Sequence, residues 1–254
     1  MSESPVFVAL SAFGADTVRR HGQAHFLALV AEAGAAGAEI RRELFGDVLP
    51  PLEPLRAVAR AAGLRLVYSA PFELYDVHGA LQGEALAVLA AEAHAVGAEI
   101  LKVSLGYAGL SADAAALARG LDALPVPVLI ENDQTPQGGR IAPLRAFLAL
   151  MASSTPAPSL RVTFDIGNWA WTGDDAAIAA AALGDAVTYV HCKAAATRDG
   201  RLTAVPLETE APETRALFAC FAPNLPRAIE YPITAADGDL VGELRRHVAR
   251  LAIL

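Results

Sequence analysis

The chain has 254 residues, and its 28 acidic side chains outnumber its 20 Lys and Arg residues, giving a formal net charge of −8. This balance argues against duplex nucleic acid as a partner, because neutralising phosphates requires clustered basic side chains. A hydrophobic content of 54% excludes a largely disordered chain. No charge-free apolar stretch reaches the roughly 18 residues that predict a transmembrane helix, so no membrane span is expected.

Cellular context is indicated by the N-terminus and the cysteines. The first ten residues lack the basic segment that begins a secretory signal peptide. The chain has only two cysteines, Cys192 and Cys220, which makes a disulfide framework unexpected and fits a reducing compartment. We therefore expect a cytoplasmic protein.

Short apolar runs alternate with longer Ala-rich stretches along the whole chain. The runs are rich in β-branched residues and often bounded by Gly or Pro, which predicts strands. The predicted strands are Pro5–Leu10, Gly37–Arg41, Leu64–Ser69, Glu99–Ser104, Val126–Glu131, Leu160–Asp165, Val187–His191 and Arg227–Tyr231. The predicted helices are Asp16–Ala33, Pro51–Ala62, Gly83–Val96, Ala112–Ala123, Ile141–Ala152, Asp174–Leu183, Pro212–Phe221 and Asp239–Ile253.

Residues with special backbone roles mark several helix ends. Ser111 and Asp239 are candidate N-caps. Gly34, Gly63 and Gly97 follow predicted helices, where glycine commonly ends them.

Eight strand–helix units in about 250 residues are typical of a closed (β/α)8 barrel. The alternative is an open doubly wound sheet, which usually carries a Gly-rich phosphate loop after its first strand. Here that turn is SAFGAD, without the GxGxxG pattern. We therefore predict the α/β class and a single TIM barrel that spans residues 1–254 as one domain. Thr197–Glu210 is predicted to be the longest loop, either covering a substrate or forming plain surface.

Polar side chains end four consecutive predicted strands, and in TIM barrels chemistry gathers at those carboxyl ends. The residues are Glu131, Asp165, His191 and Glu230. Oxygen ligands with one imidazole suit Mn²⁺, Mg²⁺ or Co²⁺. Each acid alone has a structural alternative as a helix N-cap or salt-bridge partner. Together they favour a metal site, because burying several acids at one barrel mouth is costly without a compensating cation.

These four residues resemble the metal ligands of the xylose isomerase-like TIM barrels, a superfamily of sugar isomerases, epimerases and dehydratases. Their separations of 34, 26 and 39 residues follow the strand order of that superfamily. The segments ENDQTPQGGR, TFDIGNW, YVHCKA and AIEYP are similar, more specifically, to KguE-type epimerases encoded with genes of 2-ketogluconate utilisation. One feature differs: where ketose 3-epimerases place a histidine three residues after the strand-six aspartate, this chain has Asn168.

The resemblance implies one divalent ion, with Mn²⁺ favoured over Mg²⁺ or Co²⁺. It also implies an isomerase or epimerase that removes a proton next to a carbonyl and forms an enediolate. Glu131 and Glu230 come from different strands, so we expect them to act as the catalytic acid and base.

Candidate substrate-binding residues surround this set. The only lysines of the chain are Lys102, which we assign to strand four, and Lys193, which we assign to strand seven two residues after His191. Two cations near a metal site favour an anionic small carbohydrate, such as a sugar acid or sugar phosphate. The alternative is that each lysine only neutralises nearby acids. The other candidates are Glu39, Arg41, Asn168, Trp169 and Arg198, with Trp169 either a pocket wall or part of the core.

Three other functions remain open or are disfavoured. A metal-dependent dehydratase acting on a keto-polyol or keto-acid would use the same first step. A non-catalytic sugar-acid-binding barrel would bind ligand without proton exchange. An endonuclease IV-like repair enzyme is disfavoured, because that class needs a histidine-rich zinc cluster and this acidic chain has six histidines. The superfamily resemblance also implies a homo-oligomer.

Overall fold

Eight parallel strands close into a barrel. The computed structural model describes residues 3–46, 48–109, 112–155, 157–236 and 238–254. The barrel strands are β1 Val6–Ala9, β2 Gly37–Arg41, β3 Arg65–Tyr75, β4 Ile100–Gly106, β5 Val128–Glu131, β6 Arg161–Asp165, β7 Val187–His191 and β10 Arg227–Ile229. Around the barrel they follow the order β1-β10-β7-β6-β5-β4-β3-β2. The predicted (β/α)8 barrel is confirmed.

Helices cover the outside of the barrel. They are α1 Ala15–His21, α2 Gln23–Glu32, α3 Glu53–Ala61, α4 Gly83–Val96, α5 Ala114–Asp122, α6 Ile141–Ala152, α7 Trp169–Thr172, α8 Ala176–Leu183, α9 Pro212–Phe218 and α10 Leu240–Ala252. None of the helices within the described ranges combines the length and hydrophobicity needed to cross a bilayer.

The predicted alternation of one helix per strand is wrong at two units: two helices follow β1, and the short α7 precedes α8 after β6. The helix predicted over Asp16–Ala33 is two helices, because Gly22 lies between them with φ 78°, a left-handed conformation that interrupts a helix. Gly97 ends α4 in the left-handed conformation, as predicted. Asp239 caps α10 by accepting a hydrogen bond from the Gly242 amide. Ser111 lies outside the described residues, and the observed cap of α5 is Asp113.

The predicted long loop after the seventh barrel strand is instead mostly a β-hairpin. Strand β8, Lys193–Arg198, pairs antiparallel with β9, Arg201–Pro206. Asp199 and Gly200 form the turn with φ 49° and 74°. Asp-Gly with two positive φ values is a strong signal for a two-residue hairpin turn. Lys193 therefore begins a hairpin strand and does not belong to the barrel sheet.

A small apolar layer fills the barrel interior, comprising Phe7, Val67, Leu129, Tyr189 and Ala228. Side chains of a strand point alternately to its two faces, so the residue two positions further along also points inward. Leu129 is followed in this way by Glu131, Tyr189 by His191 and Ala228 by Glu230. The apolar layer is thus the floor on which a polar layer rests.

This floor is packed tightly around Gly37. A Cβ added there would lie 2.3 Å from Phe7 Cε1 and 2.4 Å from the Arg65 carbonyl oxygen. The Arg65 guanidinium lies 5.3 Å from the centre of the Phe7 ring. The absence of a side chain at residue 37 therefore lets Phe7 fill the bottom of the barrel.

We predict that Gly37→Ala lowers the free energy of unfolding by about 1–3 kcal/mol, because the added methyl overpacks the barrel floor. Gly120→Ala is the matched control: it lies inside α5, nothing within 4 Å would meet its Cβ, and it should stabilise the chain by up to about 1 kcal/mol. Urea unfolding of both variants measures the difference. Equal stability of Gly37→Ala and the unsubstituted chain would contradict the packing argument.

Candidate metal centre at the barrel mouth

Four consecutive strands bring the predicted ligands together at the carboxyl end of the barrel. Glu131, Asp165 and His191 end β5, β6 and β7, and Glu230 directly follows β10. One ligand atom from each lies within 4.8 Å of the others. Asp165 and His191 are fully buried, whereas the side chains of Glu131 and Glu230 remain 15% and 11% exposed. The two glutamates are therefore the members of the set that reach solvent.

The two nitrogens of His191 have separate partners. Nδ1 lies 2.9 Å from Glu230 Oε2, 3.0 Å from Glu131 Oε1 and 3.5 Å from Asp165 Oδ2. Nε2 lies 2.7 Å from Oε2 of the buried Glu39. Metal-binding histidines commonly have one ring nitrogen on the ion and the other held by a carboxylate. Glu39 therefore orients His191 so that Nδ1 faces the three other candidate ligands.

Glu39 also links two cations beneath and beside the site. Lys102 Nζ lies 3.1 Å from Glu39 Oε1 and 2.9 Å from Glu131 Oε2. Arg41 Nη1 lies 2.9 Å from Glu39 Oε1 and 2.5 Å from Glu230 Oε1. Each cation thus joins Glu39 to a candidate ligand. Together they fix the two glutamates and compensate part of the buried negative charge.

Lys193 contacts the other side of the set. Its ammonium lies 2.8 Å from Asp165 Oδ2 and 2.7 Å from Glu230 Oε2. Cys192 between it and His191 is buried in the layer between strands and helices. The alternation of side chains along this segment therefore brings His191 and Lys193 to the same site.

The charges of the cluster shift one another's pKa values. Burial alone would lower the pKa of His191, but the negative charges of Glu230 and Glu39 raise it well above 6.5. Burial acts in the opposite direction on Glu230, whose pKa is nevertheless lowered well below 4.5 by His191, Lys193 and Arg41. The cluster is therefore a set of charges stabilised by mutual attraction within a buried space.

Asp165 is the carboxylate with the least compensation. Burial raises its pKa, and Lys193 only partly opposes the shift. Its Oδ1 accepts hydrogen bonds from the backbone amides of Gly167 and Asn168. Its buried Oδ2 lies 2.8 Å from the Lys193 ammonium and 3.5 Å from His191 Nδ1. The positive charge near this oxygen is therefore supplied mainly by Lys193.

The residues present fit a divalent ion. One atom from each of three carboxylates and one imidazole lies within 4.8 Å of the others, and this donor set suits a hard or borderline cation. With Glu39 included, four carboxylates face three strong bases, so the cluster is negative when His191 is neutral. These observations are consistent with the predicted ligand set.

A chain of side-chain amides holds Asp165 in place. Asn132 donates from Nδ2 to the Asp165 carbonyl at 2.9 Å and accepts from the Asp165 amide at 2.8 Å. Asn168 donates from Nδ2 to the Asn132 carbonyl, and its Oδ1 accepts from Gln134 Nε2 at 3.0 Å. Asn168 was predicted to bind substrate, but its amide is largely committed to these internal bonds. Gln134 is the exposed end of this series of hydrogen-bonded amides.

An open cavity of about 250 Å³ lies above the cluster. Its described lining residues are Arg41, Glu131, Asp133, Gln134, Asn168, Lys193 and Glu230. The predicted site residues do not include Asp133 and Gln134, although these follow Glu131 by two and three residues at a strand end. Asp133 itself accepts hydrogen bonds from the amide and hydroxyl of Thr135, which fixes the loop that carries Gln134.

Four of the predicted substrate-binding residues are not among the described residues of the cavity wall. Lys102 is only 1% exposed, and its ammonium contacts Glu39 and Glu131. Trp169 is buried, with its ring centre 5.4 Å from that of Phe164, so it belongs to the core between strands and helices. Arg198 is exposed at the hairpin turn and is not among the described residues of the cavity wall. Glu39 is fully buried beneath the site, where it contacts His191 and not the cavity.

Comparison with known proteins shows similarity at the level of the fold. No family model and no curated protein matches this chain. A xylose isomerase domain-containing protein of Salmonella typhimurium LT2 has a similar structure, with a TM-score of 0.70, 14% identity and 99% of each chain covered. L-ribulose 3-epimerase gives 0.67 at 15% identity, covering 100% of this chain and 94% of its own. A probable 3-DHS dehydratase from Bacillus anthracis gives 0.64 at 14% identity, with 97% and 98% covered. The chain therefore has the fold of the xylose isomerase-like TIM barrels.

We predict that the protein binds one Mn²⁺ per chain and that Glu39→Gln weakens binding by about 10- to 100-fold, because loss of the carboxylate releases the orientation of His191. Glu230→Gln, which removes a ligand, should weaken binding more. Isothermal titration calorimetry measures both effects, and circular dichroism checks the fold of each variant.

Glu99→Gln is the matched control for these substitutions. Glu99 pairs with Arg65 at 2.7 Å, is 45% exposed, and precedes β4 at the opposite end of the barrel. It should bind Mn²⁺ as the unsubstituted protein does. Unchanged affinity in a folded Glu39→Gln variant would refute the orienting role of Glu39.

Proposed function

We propose that this chain is a divalent-metal-dependent sugar isomerase or epimerase that removes a proton next to a carbonyl and forms an enediolate. The observation that carries this proposal is the arrangement of Glu131 and Glu230. Both belong to the converging ligand set, both line the cavity, and both keep part of their side chains exposed. Asp165 and His191, the other members, are buried beneath them.

The barrel separates the two glutamates suitably for acid–base work. Strands β6 and β7 lie between β5 and β10 in the barrel, so Glu131 and Glu230 approach the cavity from different sides. One carboxylate removes the proton, and the other, or the same one, returns it. Return to the opposite face of the same carbon gives an epimer. Return to the neighbouring carbon gives an aldose–ketose isomerisation.

Glu131, Asp165, His191 and Glu230 would hold the ion, and Mn²⁺ is proposed ahead of Mg²⁺ or Co²⁺. When bound, the ion supplies Lewis-acid stabilisation of the negative charge that develops as the proton leaves. Glu39 keeps His191 oriented, and Lys102 compensates part of the negative charge of the Glu131 carboxylate. The chain's own task is thus to hold two carboxylates close to the substrate while keeping their charge compensated.

The proposed substrate is a small anionic keto-sugar, such as a sugar acid or sugar phosphate. Arg41 and Lys193 line the cavity, and together they offer positive charge to an anionic group. Among similar structures, a D-psicose 3-epimerase was determined in the presence of D-fructose, which supports a substrate of sugar size. The similarity of local segments to KguE-type proteins favours a keto-acid related to 2-ketogluconate. We also propose that residues 1–254 act as one catalytic domain and assemble as a homo-oligomer.

A dehydratase is the second candidate. The similar fold of a probable 3-DHS dehydratase supports it, and so does the position of the Lys193 ammonium, 2.7 Å from Glu230 Oε2 on the cavity wall. After the same proton abstraction, a cation placed there stabilises a departing hydroxyl group. Analysis of products separates the two reactions, since a dehydratase releases water and an isomerase conserves the formula of its substrate.

We predict that the Mn²⁺-loaded protein in D₂O exchanges the α-proton of 2-keto-D-gluconate, or of another keto-sugar in a screened panel, for deuterium. Glu131→Gln and Glu230→Gln should each lower the exchange rate by about 10²- to 10⁴-fold at saturating Mn²⁺, because each removes a group that transfers the proton. Proton NMR measures the exchange, with Glu99→Gln as the control.

Two results would count against this function. Full exchange activity in both glutamine variants would exclude the two-carboxylate mechanism. Binding of the panel sugars without any exchange would instead support a non-catalytic sugar-binding barrel.

A further inference from the structure

Lys193 differs from the other two cations of the cluster in what anchors it. Lys102 and Arg41 both contact Glu39, which is outside the candidate ligand set, and Arg41 also contacts Glu43 at 2.8 Å. Among the described residues, the salt bridges of Lys193 are with Asp165 and Glu230, both candidate ligands. Lys102 and Arg41 are therefore fixed from outside the ligand set, whereas Lys193 depends on the ligands themselves.

The ammonium of Lys193 lies where the ligand atoms converge. Its contact on Glu230 is Oε2, the same atom that lies 2.9 Å from His191 Nδ1. Its contact on Asp165 is Oδ2, which lies 3.5 Å from the same His191 Nδ1. An ammonium and a divalent cation repel each other strongly at such distances in a buried space. They therefore compete for these two oxygens.

The cavity of about 250 Å³ offers space beside Lys193. Lys193 lines the cavity, whereas Lys102, only 1% exposed, is not among its described lining residues. The stem of Lys193 crosses Gly167, where an added Cβ would lie 2.8 Å from Lys193 Cγ. The stem of Lys193 thus packs against backbone that carries no side chain.

We propose that Lys193 is a tethered cation that competes with the divalent ion for Asp165 and Glu230 and, when displaced, binds the anionic group of the substrate. This inference rests on the proposed metal site. It has a thermodynamic consequence: the ion and an anionic ligand bind with positive coupling, because each favours the same displaced position of Lys193. Such coupling is reciprocal, so each ligand raises the affinity for the other by the same factor.

The test is calorimetric titration of the full chain with Mn²⁺, in the absence and presence of D-gluconate, a sugar acid without a carbonyl to react. Lys193→Met should bind Mn²⁺ at least tenfold more tightly than the unsubstituted protein. D-gluconate should tighten Mn²⁺ binding at least fivefold in the unsubstituted protein and leave the affinity of Lys193→Met unchanged. Comparing the two proteins at one gluconate concentration cancels direct binding of Mn²⁺ to gluconate, and D-glucitol serves as the uncharged ligand.

Arg201→Met is the matched control for charge. Arg201 is exposed on β9 in the hairpin that also carries Lys193, and it is not among the described cavity residues. It removes one positive charge without touching the ligand set, so its Mn²⁺ affinity should equal that of the unsubstituted protein. Lys193→Gln, a polar neutral variant, replaces Lys193→Met if circular dichroism shows that the methionine variant is unfolded.

The outcomes separate this inference from the proposed function. Tighter Mn²⁺ binding by the Lys193 variants alone supports it, including the case in which only those variants bind. If the unsubstituted protein binds Mn²⁺ and the Lys193 variants bind no more tightly, or Arg201→Met tightens binding equally, the inference is overturned while the metal site stands. If neither the unsubstituted protein nor the variants bind Mn²⁺, the proposed function itself fails.

Discussion

The structure depends on the burial of like charges at one end of a barrel. Glu131, Asp165 and Glu230 converge around His191, and their oxygens lie too close together to be stable without positive charge between them. Burial disfavours the charged form of these groups. Oppositely charged partners outweigh burial at Glu230 and His191, whereas the pKa of Asp165 stays raised. The positions of the surrounding side chains follow from this requirement.

The apolar floor of the barrel and the buried cations together stabilise the charged cluster. The layer containing Phe7 and Leu129 closes the barrel below the site and excludes water from that side. Lys102 and Arg41 enter from strands on the other half of the barrel and meet at Glu39. The barrel is therefore closed below the candidate ligands, and the described cavity lies above them.

Much of this arrangement can be predicted from hydrophobic patterns and residue positions in the sequence. Alternation with period two and a parallel topology together determine that the residues ending β5, β6 and β7 meet at one rim, so Glu131, Asp165 and His191 were predictable. Glu230 was predictable for the same reason, although β10 ends one residue earlier. The hairpin after β7 was also signalled by Asp199-Gly200, and overlooking that turn produced the predicted loop.

The roles of other residues could not be predicted from the sequence, because these roles depend on contacts between segments that lie far apart in the chain. Glu39 is 152 residues from His191 in sequence, and its role beneath the ring cannot be inferred from strand position alone. Trp169 follows the strand-six aspartate by four residues, yet the turn held by Asp165 Oδ1 directs it into the core. Asn168 is likewise close to the site, but its bonds to Asn132 and Gln134 use its amide internally. Local hydrogen bonding, which leaves no periodic signal, decided these cases.

The proposed function rests on one claim: Glu131, Asp165, His191 and Glu230 together form a single divalent-cation site. Anomalous X-ray diffraction at the manganese absorption edge, from crystals soaked in MnCl₂, tests it most directly. We predict one strong peak in contact with Glu131, Asp165, His191 and Glu230. Manganese peaks found only elsewhere on the protein, with no peak between these four side chains, would contradict the claim.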